Sequence, residues 1–226
     1  MTRGVSSMAT REVLAELAGL YRREGKEVSL ESIGGVDAVR RPRSGEAFDF
    51  AILADTAMTS LETAGRVVRG TRVAVATSGV AIAVRPGSAP PDIGSEAAVR
   101  AAILAASSIG YSSGPSGTHL VRLFERWGIA EAIRSRIVQP PPGVPVGTLV
   151  ASGQVELGFQ QLSELIHLPG IDVVGPLPPE IQATTTFSGG VCAASADPAA
   201  ARAWLAFITS PGTDGPKRRH GMEPPA

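Results

Sequence analysis

Residues 48–54 read FDFAILA, and Asp55-Thr56 follow at once. A short, almost wholly apolar run is what a parallel strand covered on both faces requires. A helix over 56–65 and strands over 72–76 and 79–85 are expected after it. Upstream, TREVLAELAGLYRRE (10–24) sets Val13, Leu14, Leu17, Leu20 and Tyr21 on one helical face, with Thr10 as N-cap and Gly25 as stop. VSLESI (28–33) reads as a strand closed by Gly34-Gly35, and an irregular basic helix spans 37–45. Downstream, PGSAPPD (86–92) is a turn-rich connector. The second block then reads helix 95–106, strand 109–112, a helix from GPSGTH to Gly128, a short helix over 130–137, the PPPG loop (140–143) and helix 146–152. Strands over 155–161, 171–177 and 184–195 come next, and Asp197-Pro198 opens a last helix at 199–209. Strand and helix alternate in two blocks, so the fold class is α/β with mostly parallel sheets. Gly212, Gly215 and Pro216 break the pattern, and the tail from Pro211 is expected to be loosely held.

The composition narrows the function. Twenty-one basic and 21 acidic residues give no net charge, so the basic face of a nucleic-acid binder is absent. The 26 glycines and 18 prolines exceed the roughly 7% and 5% of ordinary chains and imply many loops. One cysteine, Cys192, excludes an internal disulfide, and it reads as a small core residue. His119, His167 and His220 lack ligand spacing, so no metal and no cofactor is expected. No apolar run reaches the roughly 18 residues of a membrane helix. The start, MTRGVSS, is not a signal peptide. A periplasmic location is expected if a leader was removed, and a cytoplasmic one otherwise.

In α/β sheets, ligands sit beyond the carboxyl ends of strands, at helix starts. Five such junctions stand out: Ser6-Ser7, Gly34-Gly35, Asp55-Thr56, the run Ser112-Ser113-Gly114-Pro115-Ser116-Gly117-Thr118, and Gln160-Gln161. They share hydroxyls, glycines and free backbone amides, the donors that hold an anion without Lys or Arg. Each also has a plainer reading as a turn or cap. The 112–118 run lacks the dinucleotide fingerprint and the P-loop ending. Arg40, Arg41 and Arg43 read as a solvated face or as the lining of an anion-attracting groove.

Six stretches carry a resemblance: Ser6-Ser7 before the first helix, FDFAILAD, YSSGPSGTH, GQVELGFQQLSEL, VVGPLPPE and ADPAAARAWLAFITSP. In this order the chain, from residue 4 to about 211, resembles the molybdate-binding-like branch of bacterial extracellular solute-binding proteins. The resemblance implies a two-lobed type 2 periplasmic-binding fold, with lobes of 1–82 plus 187–226 and of 83–186. It also implies a monomer that binds a small anion in an interlobe cleft and serves an ABC permease. Gln160-Gln161 stand where molybdate binders carry a ligand-contacting tyrosine, and IGGVDAVRR departs from their Gly-Ser-Ser-Gly loop. The anion implied is a molybdate-like oxyanion or an organic carboxylate, and an amide side chain in place of the tyrosine would suit a larger organic acid. GFQQLSEL and VGPLP resemble the subgroup that includes aconitate isomerase. An enzyme of that kind would need an acid/base group for allylic proton transfer, and His119, Asp55 or Glu164 could supply it.

Overall fold

The computed structural model describes residues 1–141 and 143–225. Pro142 of the expected 140–143 loop and Ala226 of the expected first lobe lie outside the described residues. The chain divides into two compact units, Met1–Thr77 with Thr185–Ala226, and Ser78–Thr184.

The first unit begins with β1 (Thr2–Ser7), α1 (Arg11–Arg23), β2 (Val28–Ile33), α2 (Gly35–Arg43), β3 (Phe50–Ala54), α3 (Asp55–Thr63) and the first half of β4 (Val73–Val84). β1 pairs in parallel with β2 on one side and β3 on the other. The apolar run at 48–54 explains the centre of this sheet. Alternate side chains of β3 enter two different cores. Phe50 and Ile52 join Leu14, Leu17, Trp204 and Leu205, whereas Ala51 and Leu53 join Met58, Leu61 and Cys192. Each large side chain buried this way contributes about 1.5–3 kcal/mol.

The second unit takes β4 onward through α4 (Glu96–Ala105), β5 (Ile109–Tyr111), α5 (Pro115–Arg126), α6 (Ala130–Ile133), β6 (Ile137–Val138), α7 (Val146–Ala151), β7 (Leu157–Gln161), α8 (Leu162–Leu165) and β8 (Asp172–Pro176). β5 pairs in parallel with β6 and β7, and β4 runs antiparallel to β7 and β8. Val80, Ile82, Ile109, Leu120, Phe124 and Phe159 form its main core.

The chain then re-enters the first unit through β9 (Thr184–Val191), antiparallel to β3, and ends with α9 (Pro198–Ile208) and α10 (Asp214–Arg219). The Asp197 side chain accepts from the Ala200 N–H at 3.0 Å and caps α9.

Two expectations are corrected. The strands expected at 72–76 and 79–85 are one strand. The Gln182 side chain accepts from the Val80 N–H at 2.8 Å and donates to the Val80 carbonyl at 3.0 Å, so the backbone stays extended past Ser78-Gly79. The tail is not loose. Gly215 and Pro216 lie in the first turn of α10, where a missing N–H costs nothing. Glu223 pairs with Thr77 in both directions at 2.8 Å, and Arg219 and His220 reach Glu16 of α1. Lys217 is buried beside Asp214, and that burial lowers its pKa.

Candidate functional site

In the first unit the register brings the ends of three parallel strands to one edge. Ser6 lies opposite Ser32 of β2 and Ile52 of β3. Ser7, Gly34 and Asp55 therefore leave the sheet side by side. The Ser6 hydroxyl is fully buried and shares a 2.7 Å hydrogen bond with the Ser32 hydroxyl. Ser7 caps the turn after β1, its hydroxyl accepting from the Ala9 N–H at 3.3 Å. Gly34 and Ala54 precede α2 and α3, and neither helix start has a side-chain cap. Uncapped starts leave backbone N–H groups for an anion, and the helix dipole favours negative charge there. Gly35 and Thr56 are exposed at these starts.

Asp55 is committed. Its Oδ1 accepts from the Ser188 hydroxyl at 2.6 Å and from Arg72 Nη1 at 2.7 Å. Arg72 also reaches Thr59 and Glu62, so its charge is shared within this group. Two of the three arginines of α2 are paired with carboxylates and are not free to attract an anion. Arg41 is tied to Glu31 and Glu46 at 2.5 Å, and Arg40 pairs with Asp37 at 2.8 Å.

In the second unit the ends of β5 and β7 share an edge, because Tyr111 lies opposite Phe159. The run after β5 turns tightly into α5. Ser112 and Ser116 hydroxyls stand 3.0 Å apart, and Pro115 occupies the first turn of an uncapped helix. Gly117 is obligatory here, since a Cβ at that position would lie 1.6 Å from the Ser112 carbonyl oxygen. Ser113 is exposed, and the Thr118 hydroxyl donates back to the Gly114 carbonyl at 3.2 Å.

Gln160 and Gln161 are both buried, on opposite faces of β7. Gln160 serves the scaffold. Its Oε1 accepts from the Val146 N–H, the first of α7, at 2.8 Å, and its Nε2 donates to Glu164 at 2.7 Å. Gln161 stands at the start of α8. His119 Nε2 lies 2.7 Å from the Ile181 carbonyl, so this nitrogen carries the proton and donates. That bond ties the ring to the scaffold and fixes its orientation.

Two residues escaped sequence reasoning. Ser163, two residues beyond β7, is buried, and its hydroxyl has no hydrogen-bond partner among the described residues. Burial of an unpaired hydroxyl costs about 1–3 kcal/mol, which marks Ser163 as a donor awaiting an acceptor. Asp49 anchors the first unit from within FDFAILA. It accepts from the Arg3 N–H at 2.8 Å, the Ser195 hydroxyl at 2.8 Å and the Ala196 N–H at 3.0 Å. Burial alone would raise its pKa, but these donors outweigh that effect and lower it. Beside it, burial and the Asp49 charge push the Cys192 thiol up to about 12, so it is unreactive.

Among the described residues, no group of three His, Cys, Asp or Glu side chains is placed to hold a metal ion, and no helix is long and apolar enough to cross a membrane.

Comparison with known proteins places this geometry in context. The model of a family described as bacterial extracellular solute-binding protein matches residues 3–223. An aconitate isomerase from Pseudomonas sp is 39% identical over 166 residues, a match that covers 73% of this chain and 63% of that relative. The chain thus spans less than two thirds of that relative's length in the match. The periplasmic molybdate-binding protein of Azotobacter vinelandii superposes with a TM-score of 0.82 at 19% identity, all of each chain being covered. A periplasmic thiamin binding protein superposes with a TM-score of 0.76 at 14% identity, over 99% of this chain and 82% of that one. Similarity at these identities shows the fold alone, a type 2 periplasmic-binding architecture.

Proposed function

We propose, from the premise that this chain belongs to the bacterial extracellular solute-binding protein family, that it binds a small organic anion bearing more than one carboxylate. The observation that carries the reading is the chemistry of the strand ends. Both units gather hydroxyls and uncapped helix starts there, and the nearby arginines are already paired. Such donors complement carboxylate oxygens through geometry rather than net charge. The unpartnered Ser163 hydroxyl adds a donor at the same edge of the second unit. The 39% identity to an aconitate isomerase favours a tricarboxylate over molybdate. Gln160, committed to α7 and Glu164, leaves no tyrosine-like contact at that position. The family description supports action outside the cytoplasm, and delivery of the solute to an ABC permease is part of the same proposal.

The same relative supports a second reading, isomerisation of the bound acid. In that reaction a carboxylate removes a proton from the methylene carbon. The double bond shifts by one carbon, and the proton returns to the former vinylic carbon, so nothing is oxidised. Asp55 is the candidate group. It sits at a strand end, with Ser188 and Arg72 on Oδ1 fixing its orientation.

A thermal-shift panel with molybdate, tungstate, sulfate, citrate, cis-aconitate and trans-aconitate tests both readings. A ligand at 100 times its Kd adds about 2.7 kcal/mol of stability, a shift easily seen. Stabilisation by the tricarboxylates is expected, and conversion of cis- to trans-aconitate then decides between binder and enzyme. Stabilisation by molybdate or tungstate alone overturns the carboxylate reading.

A further inference from the structure

We propose that the second unit carries another small-molecule site, at the sheet edge opposite the strand ends described above, which takes a zwitterion of the α-amino acid class. The site is a cavity of about 510 Å³ where β5 and β7 begin and β4 ends. Val155 and Leu157 give it an apolar floor, and Ala102 and Ala105 of α4 give it a wall of small side chains.

Two opposite charges line this one cavity. Glu156 is held from one side only. Its Oε2 accepts from the Ser107 hydroxyl at 2.5 Å and the Ser107 N–H at 2.8 Å, while Oε1 has no hydrogen bond among the described residues. These donors keep its carboxyl below the usual range, so it is ionised at neutral pH. Arg85 follows the last residue of β4 and lies over Gly153, where an added Cβ would come 3.0 Å from Nη1. Its guanidinium has no hydrogen bond or ion pair among the described residues. Arg85 and Glu156 thus share a cavity without pairing with each other.

The presence of both charges in one cavity selects the ligand. A carboxylate alone would meet Arg85 but also the Glu156 charge. An amine alone would meet Glu156 but also Arg85. A molecule carrying both groups matches each to its opposite, with a fork-on-carboxylate contact at Arg85. The alanine wall leaves room for a small apolar side chain. All of these residues lie outside the strand-end set, so the proposal stands apart from the tricarboxylate reading.

The test is an amide NMR titration of the full ¹⁵N-labelled chain with L-alanine, acetate and methylammonium. L-Alanine is expected to shift the amides of Ser107, Gly153 and Glu156 saturably, with acetate and methylammonium weaker by about tenfold or more, equivalent to about 1.4 kcal/mol. R85A and E156Q should each weaken L-alanine by a similar factor while leaving any thermal shift by trans-aconitate unchanged. Arg85 and Glu156 are both exposed, so neither variant threatens the fold. No saturable shift at millimolar L-alanine would overturn the proposal. So would a response to acetate equal to that to L-alanine and indifferent to E156Q.

Discussion

The strand-end edges of the two units use the same residue types and hold them differently. In the first unit, Gly34-Gly35 leads into an open helix start, and a Cβ on Gly35 would meet nothing within 4 Å. Order there comes from polar groups: the buried Ser6–Ser32 pair, and Asp55 gripped by Arg72 and Ser188. In the second unit, order comes from close packing and from an uncharged amide side chain. Gly117 sits against the Ser112 carbonyl, and Gln160 ties β7 to α7. Two glycine-bearing junctions that look alike in sequence therefore differ in tolerance. One leaves space for a larger side chain, and the other has none.

The sharpest way to break the comparison is to add one methyl group to each edge. Gly117→Ala has to displace backbone, and we expect it to destabilise by about 3 kcal/mol in urea denaturation. Gly35→Ala meets open space and should stabilise by about 0.5 kcal/mol through the unfolded chain. Equal effects at the two positions would dissolve the distinction.

The next pair contrasts a charged anchor with a neutral one. Asp49→Ala strands several N–H donors and should cost about 3 kcal/mol at neutral pH. Its folded pKa lies below the unfolded value, so its contribution is present above about pH 4. That contribution is lost as pH falls through the lower folded pKa. Stability of the wild type should therefore drop in acid more steeply than that of Asp49→Asn. Gln160→Ala leaves the Val146 amide unpaired and should cost about 2 kcal/mol. Chemical denaturation across pH checks both. The smallest effect concerns the ring tied to Ile181. His119→Ala should cost about 1 kcal/mol and leave ligand affinity unchanged by calorimetry, since its one assigned bond is to the scaffold.

Much of this architecture was legible in the amino-acid order because local chemistry and tertiary context agree. FDFAILA declared a strand covered on both faces, and β3 does feed two cores. The Ser95 and Asp197 caps opened helices as their side chains allow. The failures lie where a distant residue overrides a local signal. Thr77-Ser78 reads as a break, yet Gln182, 102 positions beyond Val80, supplies the bonds that carry the strand through. Gly215-Pro216 reads as the end of structure, and becomes the start of α10 because Glu16 holds Arg219 and Thr77 holds Glu223. The candidate site was legible as five junctions, but not in its division of labour. Gln160 and Thr118 look like ligand donors in sequence, and their partners turn them inward. Ser163 carried no signal, because a serine after a strand is ordinary until its surroundings bury it.

The placement of β9 also has a consequence for synthesis. The second unit is one continuous stretch, Ser78–Thr184, whereas the first needs residues from both sides of it. On a ribosome, β3 emerges about 130 residues ahead of the strand that covers its edge. Until Val191 and then Trp204 have been made, Phe50 and Ile52 lack one wall of their core and β3 keeps a bare row of amides and carbonyls. Such an edge is a template for pairing with other chains. During translation the first unit is the part of this protein most in need of a chaperone, although its first residues are made earliest.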